Sequence, residues 1–158
     1  MRSPCSPRPD TGLLCRSVAG PQELAEHHRI RHAVFVVEQQ LFAEDDHDSH
    51  DVAAGVVHVL GFVDGKPAGT VRLYPVGAGV WKGDRLAVLP EHRRTSLAGP
   101  LVRLAVATAG AFGGHRMEAM VQAQNAAFFS RLGWSAVEEP VDYLGVLHQQ
   151  MTMALSAP

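Results

Sequence analysis

An apolar strand, a basic turn and an apolar helix follow one another over residues 81–112, and this stretch constrains the fold most. The strand ends at Leu86-Ala87-Val88, the turn carries Arg93 and Arg94, and a helix is predicted over residues 101–112. Backbone N–H groups at a helix start lack intrahelical partners, and the helix dipole adds positive potential there. Two arginines beside such a start add bidentate reach toward phosphate oxygens. The stretch therefore predicts an anion-binding site between a strand and a helix.

Periodicity and turn residues predict alternating strands and helices along the rest of the chain. The pair Asp64-Gly65 before Lys66 is a hairpin signal between two strands. The apolar run 33–37 is strand-like because it is rich in β-branched residues, but it follows a helix, so both states stay open. Strands are predicted at 13–18, 56–63, 68–76, 80–88, 116–121, 134–137 and 149–155, and helices at 21–32, 101–112 and 125–132.

This order predicts an α/β fold, a mixed sheet with helices on both faces. Residues 1–12 read as a flexible tail and residues 13–158 as a single domain, because 158 residues suit one domain with a sizeable core. The composition, 46% hydrophobic and 19% charged, is that of a globular protein.

The net charge and the cysteine content limit which partners and which cellular compartment we expect. The net charge of −2 argues against a nucleic-acid partner and against a polybasic membrane patch. No apolar run reaches the roughly 18 residues of a membrane helix, and the N-terminus lacks the apolar core of a signal peptide. Cys5 and Cys15 read as free thiols of a reducing compartment, so we expect a cytoplasmic protein.

The basic turn resembles the cofactor-binding motif of the GNAT superfamily of N-acetyltransferases. The family pattern is Arg/Gln-x-x-Gly-x-Gly/Ala after a strand, and Ser96 stands here where the family prefers glycine. Segments 31–39 and 143–151 are similar to those of the small bacterial ElaA-like branch, and segments 69–73 and 121–134 are similar to the family's third strand and late helix. The six-residue motif reads Arg93-Arg94-Thr95-Ser96-Leu97-Ala98 and is followed by Gly99.

The resemblance implies the GNAT fold, in which two central strands splay apart to admit acetyl-coenzyme A. It implies acetyl-CoA as the co-substrate and transfer of the acetyl group to the amine of a small molecule or peptide by direct attack in a ternary complex. It leaves room for a homodimer, and the sequence does not fix the oligomeric state. The cofactor-binding residues that it implies are Leu86, Ala87, Val88, Arg93, Arg94, Thr95, Ser96, Leu97, Ala98, Gly99, Asn125 and Phe129.

Acetyl transfer requires that the amine loses a proton, that the oxyanion is stabilised and that the leaving thiolate gains a proton. The resemblance assigns the oxyanion to the backbone N–H near Val88. Many GNAT enzymes place a tyrosine acid at the position of Phe129, which has no proton to give. Either the thiolate leaves unaided, given a free-thiol pKa of about 8.5, or Tyr143 or His148 supplies the proton.

The general base has two main candidates. Glu38 follows an apolar run, so we expect it at a pocket mouth with a raised pKa, or else as a surface carboxylate. Asp84 shares strand parity with Leu86 and Val88, so it either faces the cleft or pairs with Arg72 or Arg85. His58 and Glu118 lie on predicted strands, where a structural role is the commoner outcome.

An acidic loop, Glu44 to Asp51, raises the question of a metal. It lacks the glycine and the final glutamate of an EF-hand calcium loop, and His47 and His50 do not have a recognised zinc spacing. The favoured interpretation is a solvated loop without a metal. Its functional variant is that the carboxylates attract a cationic amine.

Two other functions stay open at this point. An acyltransferase with a longer acyl donor, similar to acyl-homoserine-lactone synthases, would need small residues around the pocket. A non-catalytic acyl-CoA-binding module is favoured by the missing tyrosine at Phe129. Thiol release with a panel of amines distinguishes these alternatives.

Overall fold

The computed structural model describes residues 12–156, so residues 1–11 of the predicted tail, with Cys5, lie outside the described part. The strands within residues 12–156 are β1 (Leu13–Ser17), β2 (Val57–Val63), β3 (Lys66–Gly77), β4 (Val80–Val88), β5 (Arg116–Gln122), β6 (Ser135–Tyr143) and β7 (Val146–Ala154). They form one mixed sheet in the order β1-β2-β3-β4-β5-β7-β6. Each neighbouring pair is antiparallel except β4 and β5, which are parallel. The sheet confirms the predicted α/β class.

The helices lie on both faces of the sheet, as predicted. They are α1 (Pro21–Arg31), α2 (Ala98–Ala111) and α3 (Ala126–Arg131). Helix α2 covers one face, where Leu101 and Ala105 pack with Met117 in the larger core. Helix α1 covers the other face, where Ile30 packs with Leu60 in a second core. No helix in the described part is both long and apolar enough to span a membrane.

Residues 33–37, for which the sequence left both strand and helix open, are helical. Helix α1 continues into a wider π-helical turn over His32–Glu38. Val34 and Phe35 are buried against Leu60 and Ala87, so the run follows the helical spacing of the core and not its β-branched propensity. Helix α2 begins three residues earlier than predicted, since Pro100 is tolerated in the first turn, where N–H groups have no partner.

The last two strands are longer than predicted and form a hairpin. Leu144 and Gly145 both have positive φ, as a two-residue type I′ turn requires, and Asp142 Oδ1 accepts the N–H of Gly145 at 3.0 Å. The pairing shifts register between Val137 and Val141. This interruption explains why the sequence pattern breaks there and predicts only the short strand 134–137. The earlier hairpin at Asp64-Gly65 is confirmed.

Strands β4 and β5 separate in the middle of the sheet. They pair only from Val80 and Arg116 to Gly83 and Ala119. Both strands continue beyond this point, β4 to Val88 and β5 to residue 122, without pairing to each other. The predicted splay is therefore confirmed. Unpaired backbone groups on both sides of the gap suit an extended ligand that carries amides.

Candidate active site

Strand β4 carries one extra residue beside the gap. Thr70 lies opposite Ala87 and Arg72 lies opposite Asp84, so two residues of β4 face one residue of β3. The bulge is at Arg85, whose φ is 55°, and Thr70 Oγ1 donates to its carbonyl at 2.9 Å. A bulge re-aims the strand and often marks a functional site.

The backbone N–H of Val88 points into the gap. The next residue, Leu89, donates its N–H to Ala68 O on the β3 side at 2.9 Å. N–H groups of successive strand residues alternate between the two edges, so the N–H of Val88 faces away from β3. The carbonyl of Val88 accepts from Arg93 Nε at 3.0 Å, which is consistent with this orientation. A donor in the gap is what the expected oxyanion site requires.

A cavity of about 460 Å³ passes through the gap, a volume typical of small-molecule sites. It reaches both faces of the sheet, because its walls include members of both cores. Of the residues predicted from sequence, it is lined by Asp84, Leu86, Asn125, Phe129, Tyr143 and His148.

Tyr143 and His148 stand together at the β6–β7 hairpin. Their rings meet edge to face with centroids 5.3 Å apart. His148 is buried, and its Nδ1 lies 2.8 Å from Val146 O. A carbonyl can only accept, so Nδ1 donates to it, and in the neutral form of the ring Nε2 carries the lone pair. The pair therefore offers a proton acceptor and a hydroxyl donor to the cavity.

Phe129 gives the cavity an apolar wall. It is 5% exposed and meets Trp134 edge to face at 5.5 Å. Asn125 is exposed at the start of the same short helix. The position expected to hold a tyrosine therefore faces the cavity with a ring that cannot donate a proton.

The predicted phosphate loop combines exposed and buried residues. Ser96 has φ 64° and ψ 27°, a left-handed conformation that explains why glycine is preferred there. Arg94 is exposed, and Thr95 Oγ1 donates to His92 O at 2.6 Å. The Leu97 side chain is buried in the core, so only its backbone can face a ligand.

Glu38 is tied to Arg93 and does not line the cavity. Two hydrogen bonds join their side chains, with 2.6 Å between Glu38 Oε2 and Arg93 Nη1. The hydrogen bonds from Arg93 lower the pKa of Glu38, and burial opposes this effect without reversing it. The expectation of a raised pKa was wrong, because the partner arginine was not visible in the sequence pattern.

Asp84 lines the cavity and is held by a buried arginine. Arg72 Nε and Nη2 donate to its two carboxylate oxygens at 2.8 and 2.7 Å. The bulge breaks the parity on which Asp84 was expected to share a face with Leu86 and Val88. Leu86 and Val88 pack on the α2 side, whereas Asp84 faces Arg72 on the α1 side.

The acidic loop is solvated only in part, and the expectation of a solvated loop was wrong for the buried Asp46. Asp46 is 1% exposed and accepts from Arg31 Nε at 2.7 Å and from Arg85 Nε at 2.9 Å. Asp51 accepts from Arg31, and Asp48 accepts from Arg72. Asp46, Asp48 and Asp51 neutralise three arginines around the bulge. Glu44 and Asp45 are exposed, so the attraction of a cationic amine by this loop stays a prediction. Within residues 12–156, no three His, Cys, Asp or Glu side chains are arranged to hold a metal ion.

The sequence analysis did not single out two glutamines that form a hydrogen bond across the gap. Gln39 at the end of the π-helical turn accepts from Gln122 Nε2 at the end of β5 at 2.9 Å. Both lie in segments that carry the family resemblance, which was the available signal.

Glu118 lines the cavity, whereas His58 does not, because its ring packs under α1.

Comparisons with known proteins agree with this geometry. The model of the acetyltransferase (GNAT) family matches residues 22–134. A Bacillus subtilis (strain 168) protein named as an acetyltransferase is 29% identical over 138 residues, which cover 87% of this chain and 93% of the relative. The structure of Escherichia coli ElaA is 21% identical, covers 89% of this chain and 97% of its own, and superposes with a TM-score of 0.78. An acyl-CoA N-acyltransferase from Pseudomonas aeruginosa is 24% identical with the same coverage and a TM-score of 0.77.

The splayed strands and the cavity between them agree with the fold that the family resemblance predicted. The chain belongs to the acetyltransferase (GNAT) family, because the family model covers well over half of it. It is therefore a transferase, as its sequence predicted.

Proposed function

We propose that this protein transfers an acetyl group from acetyl-CoA to the amine of a small molecule or peptide in a ternary complex. The observation that supports this most is the gap where β4 and β5 stop pairing at Gly83 and Ala119, with a cavity running through it. The amide-rich arm of coenzyme A is an extended ligand of the kind that such strand edges bind. The proposed setting is the cytoplasm, where a free thiol such as that of Cys15 stays reduced.

The reaction needs two bond changes and one proton transfer. The amine nitrogen attacks the thioester carbonyl, the N–C bond forms, the C–S bond breaks, and the amine's proton passes through the site to the thiolate. In this proposal the N–H of Val88 stabilises the oxyanion from inside the gap. His148 Nε2 takes the proton of the amine, the Tyr143 hydroxyl gives one to the thiolate, and the proton held by His148 then restores the Tyr143 hydroxyl. Asp84 helps to orient the acceptor, since Arg72 holds its carboxylate in place.

The loop from Arg93 to Gly99 is the proposed site of the pyrophosphate. Arg94 and the backbone of Ser96 are accessible for this role, and Arg93 becomes available when it leaves Glu38. Asn125 and Phe129 would line the opposite wall of the coenzyme arm, as the cavity lining supports.

Amine-dependent thiol release tests the proposal. Acetyl-CoA is offered with a panel of polyamines, amino acids, aromatic amines and short peptides, and mass spectrometry identifies the acetylated product. We expect release of one thiol per acetylated amine, and a large loss of turnover in His148→Gln. Tight binding of acetyl-CoA with no thiol release from any amine would favour the non-catalytic acyl-CoA-binding module instead.

A further inference from the structure

The cavity has a charged floor on the α1 side of the sheet. Lys82 lies two residues before Asp84 on β4, so both side chains leave the strand on the α1 side. Glu118 of β5 is the Cα partner of Lys82 and lies on the same face. All three residues line the cavity, whereas their neighbours Trp81 and Met117 pack on the α2 side. The floor therefore presents a lysine and a glutamate side by side.

The protein itself neutralises these charges to different extents. Both carboxylate oxygens of Asp84 accept from Arg72. Glu118 meets Arg116 through a single contact of 3.2 Å at a half-exposed position. In the part of the chain that the structure describes, Lys82 has no carboxylate at ion-pair distance, not even that of its cross-strand neighbour Glu118. Lys82 and Glu118 thus keep charge that a ligand with both signs can use.

The reactive end of the site lies further along the same strands. The proposed base, His148, is opposite Gln122, which follows Glu118 by four residues on β5. A strand rises about 3.3 Å per residue, so about 13 Å of strand separates the two positions, and the side chains of the charged floor cover part of it. Leu41 and Phe42 pack with the core on the α1 side and give this part of the cavity an apolar wall. An acceptor therefore needs several methylenes between its attacking amine and its charged groups.

We propose that the acceptor is a free amino acid with an amine at the end of its side chain, such as lysine or ornithine, and that this side-chain amine is acetylated. Lys82 binds the carboxylate of the acceptor, Glu118 binds its α-ammonium group, and the methylenes run past Phe42 to the gap. The inference rests on the proposed function, because it names the acceptor of that same reaction. An α-amine is only two bonds from its carboxylate carbon, so it stays at the charged floor and does not reach the thioester.

The transfer leaves the head group of the amino acid unchanged. The uncharged side-chain amine attacks the thioester carbonyl, the N–C bond forms and the C–S bond breaks. The proton lost by the amine ends on the coenzyme A thiol. The product is an amide at the side-chain nitrogen, with the α-ammonium and carboxylate groups still in place. A polyamine would instead bring a second positive charge toward Lys82, which disfavours it.

The test compares two acceptors in thiol release by the full chain at saturating acetyl-CoA. Lysine and cadaverine carry the same five-carbon amine, but only lysine has a carboxylate. We expect kcat/KM for lysine to exceed that for cadaverine by about tenfold or more, since hydrogen bonds between charged groups contribute at least such a factor. Fragmentation of the product in a mass spectrometer should place the acetyl group on the side-chain nitrogen.

Variants of the charged floor separate its two contacts. Lys82→Met should lower kcat/KM for lysine by about tenfold, mainly through KM, and should not lower it for cadaverine. Lys66→Met, an exposed change at the start of β3, is the matched control and should leave both values unchanged. Glu118→Gln should lower kcat/KM for lysine but not for ε-aminohexanoate, which has a carboxylate and no α-ammonium group.

Three outcomes would overturn the inference. They are equal kcat/KM values for lysine and cadaverine in the wild type, acetylation of the α-nitrogen, and a Lys82→Met variant with the wild-type preference. The first two need no variant, so they apply even if Lys82→Met does not fold. Thiol release with other amines of the panel but not with lysine or ornithine would overturn this inference alone. No release with any amine would overturn the proposed function itself.

Discussion

Glu38 and Arg93 form a bidentate ion pair that joins the π-helical turn after α1 to the loop after β4. The sequence assigned them separate roles, a base and a phosphate ligand, and the structure makes them partners. A phosphate that takes the same two N–H groups of Arg93 would displace the carboxylate. The Glu38 carboxylate therefore competes with the phosphates of the coenzyme for Arg93.

Replacement of Glu38 by glutamine tests this competition. Exposed ion pairs contribute about 0.2–1 kcal/mol, so Glu38→Gln should tighten coenzyme A binding by up to about fivefold at low salt. Turnover at saturating acetyl-CoA should stay near that of the wild type. Calorimetry and steady-state kinetics on one preparation measure both quantities. A hundredfold loss of kcat with unchanged coenzyme affinity would contradict the account and make Glu38 the general base.

The sequence predicted the element order and the basic turn because these follow from short-range patterns. It did not predict the partners of Glu38 and Asp46, since both depend on arginines that are distant along the chain. The parity argument for Asp84 failed because a single extra residue at Arg85 reverses the faces that follow it. The sequence thus predicted the chemistry of short segments, but it did not predict ion pairs between residues that are distant along the chain.

The arginine–aspartate network around the bulge is expected to be structural. Asp46→Asn would remove one of the two carboxylates, each 2.7 Å away, that neutralise the fully buried Arg31, and should destabilise the fold by about 1.5–3 kcal/mol. Glu44→Gln, an exposed change in the same loop, should shift stability by less than about 0.5 kcal/mol. Urea denaturation measures both variants. A loss below about 1 kcal/mol in Asp46→Asn would contradict the structural role.

His27 and His28 of α1 form a cluster with His58 of β2. This cluster predicts that the protein loses stability in mild acid. Burial, followed by the charge of Arg31, lowers the pKa of His27 to about 3 and that of His28 to about 4. Burial also lowers the pKa of His58, whose ring centroid lies 4.9 Å from that of His27. Each folded pKa lies below the unfolded value near 6.5, so the unfolded chain binds more protons in between. The stability they contribute is present above pH 6.5 and is lost as pH falls toward their folded values.

The histidine prediction is measured by urea denaturation at several values between pH 7.5 and pH 5. Each depressed histidine contributes up to about 1.4 kcal/mol per pH unit in this window. His27→Gln should reduce the slope of the unfolding free energy against pH by up to about 1.4 kcal/mol per pH unit, which is the contribution of one proton. His32→Gln, exposed at the end of the same helix, should leave the contribution of the buried cluster intact. A slope that is equal in His27→Gln and the wild type would contradict this account.

Proton delivery to the thiolate is assigned to Tyr143. Tyr143→Phe should lower kcat by about 10²-fold while acetyl-CoA affinity stays unchanged, because only the hydroxyl is lost. Phe129→Tyr should alter kcat little if the proton already comes from the hairpin. Both variants are compared with one acceptor at saturation. Full kcat in Tyr143→Phe would remove this residue from the mechanism, and a large gain in Phe129→Tyr would show that proton delivery limits the native protein.

Titration of acetyl-CoA into the wild-type chain and into the double variant Arg93→Ala, Arg94→Ala tests the central claim most directly. The account predicts one binding site per chain, with affinity several-fold or more lower in the double variant, because charge-assisted hydrogen bonds contribute about 1.5–3 kcal/mol each. The loss should shrink as salt is raised. Equal affinities in the two proteins, or no binding of acetyl-CoA to the wild type, would contradict the coenzyme site proposed between β4, β5 and α2.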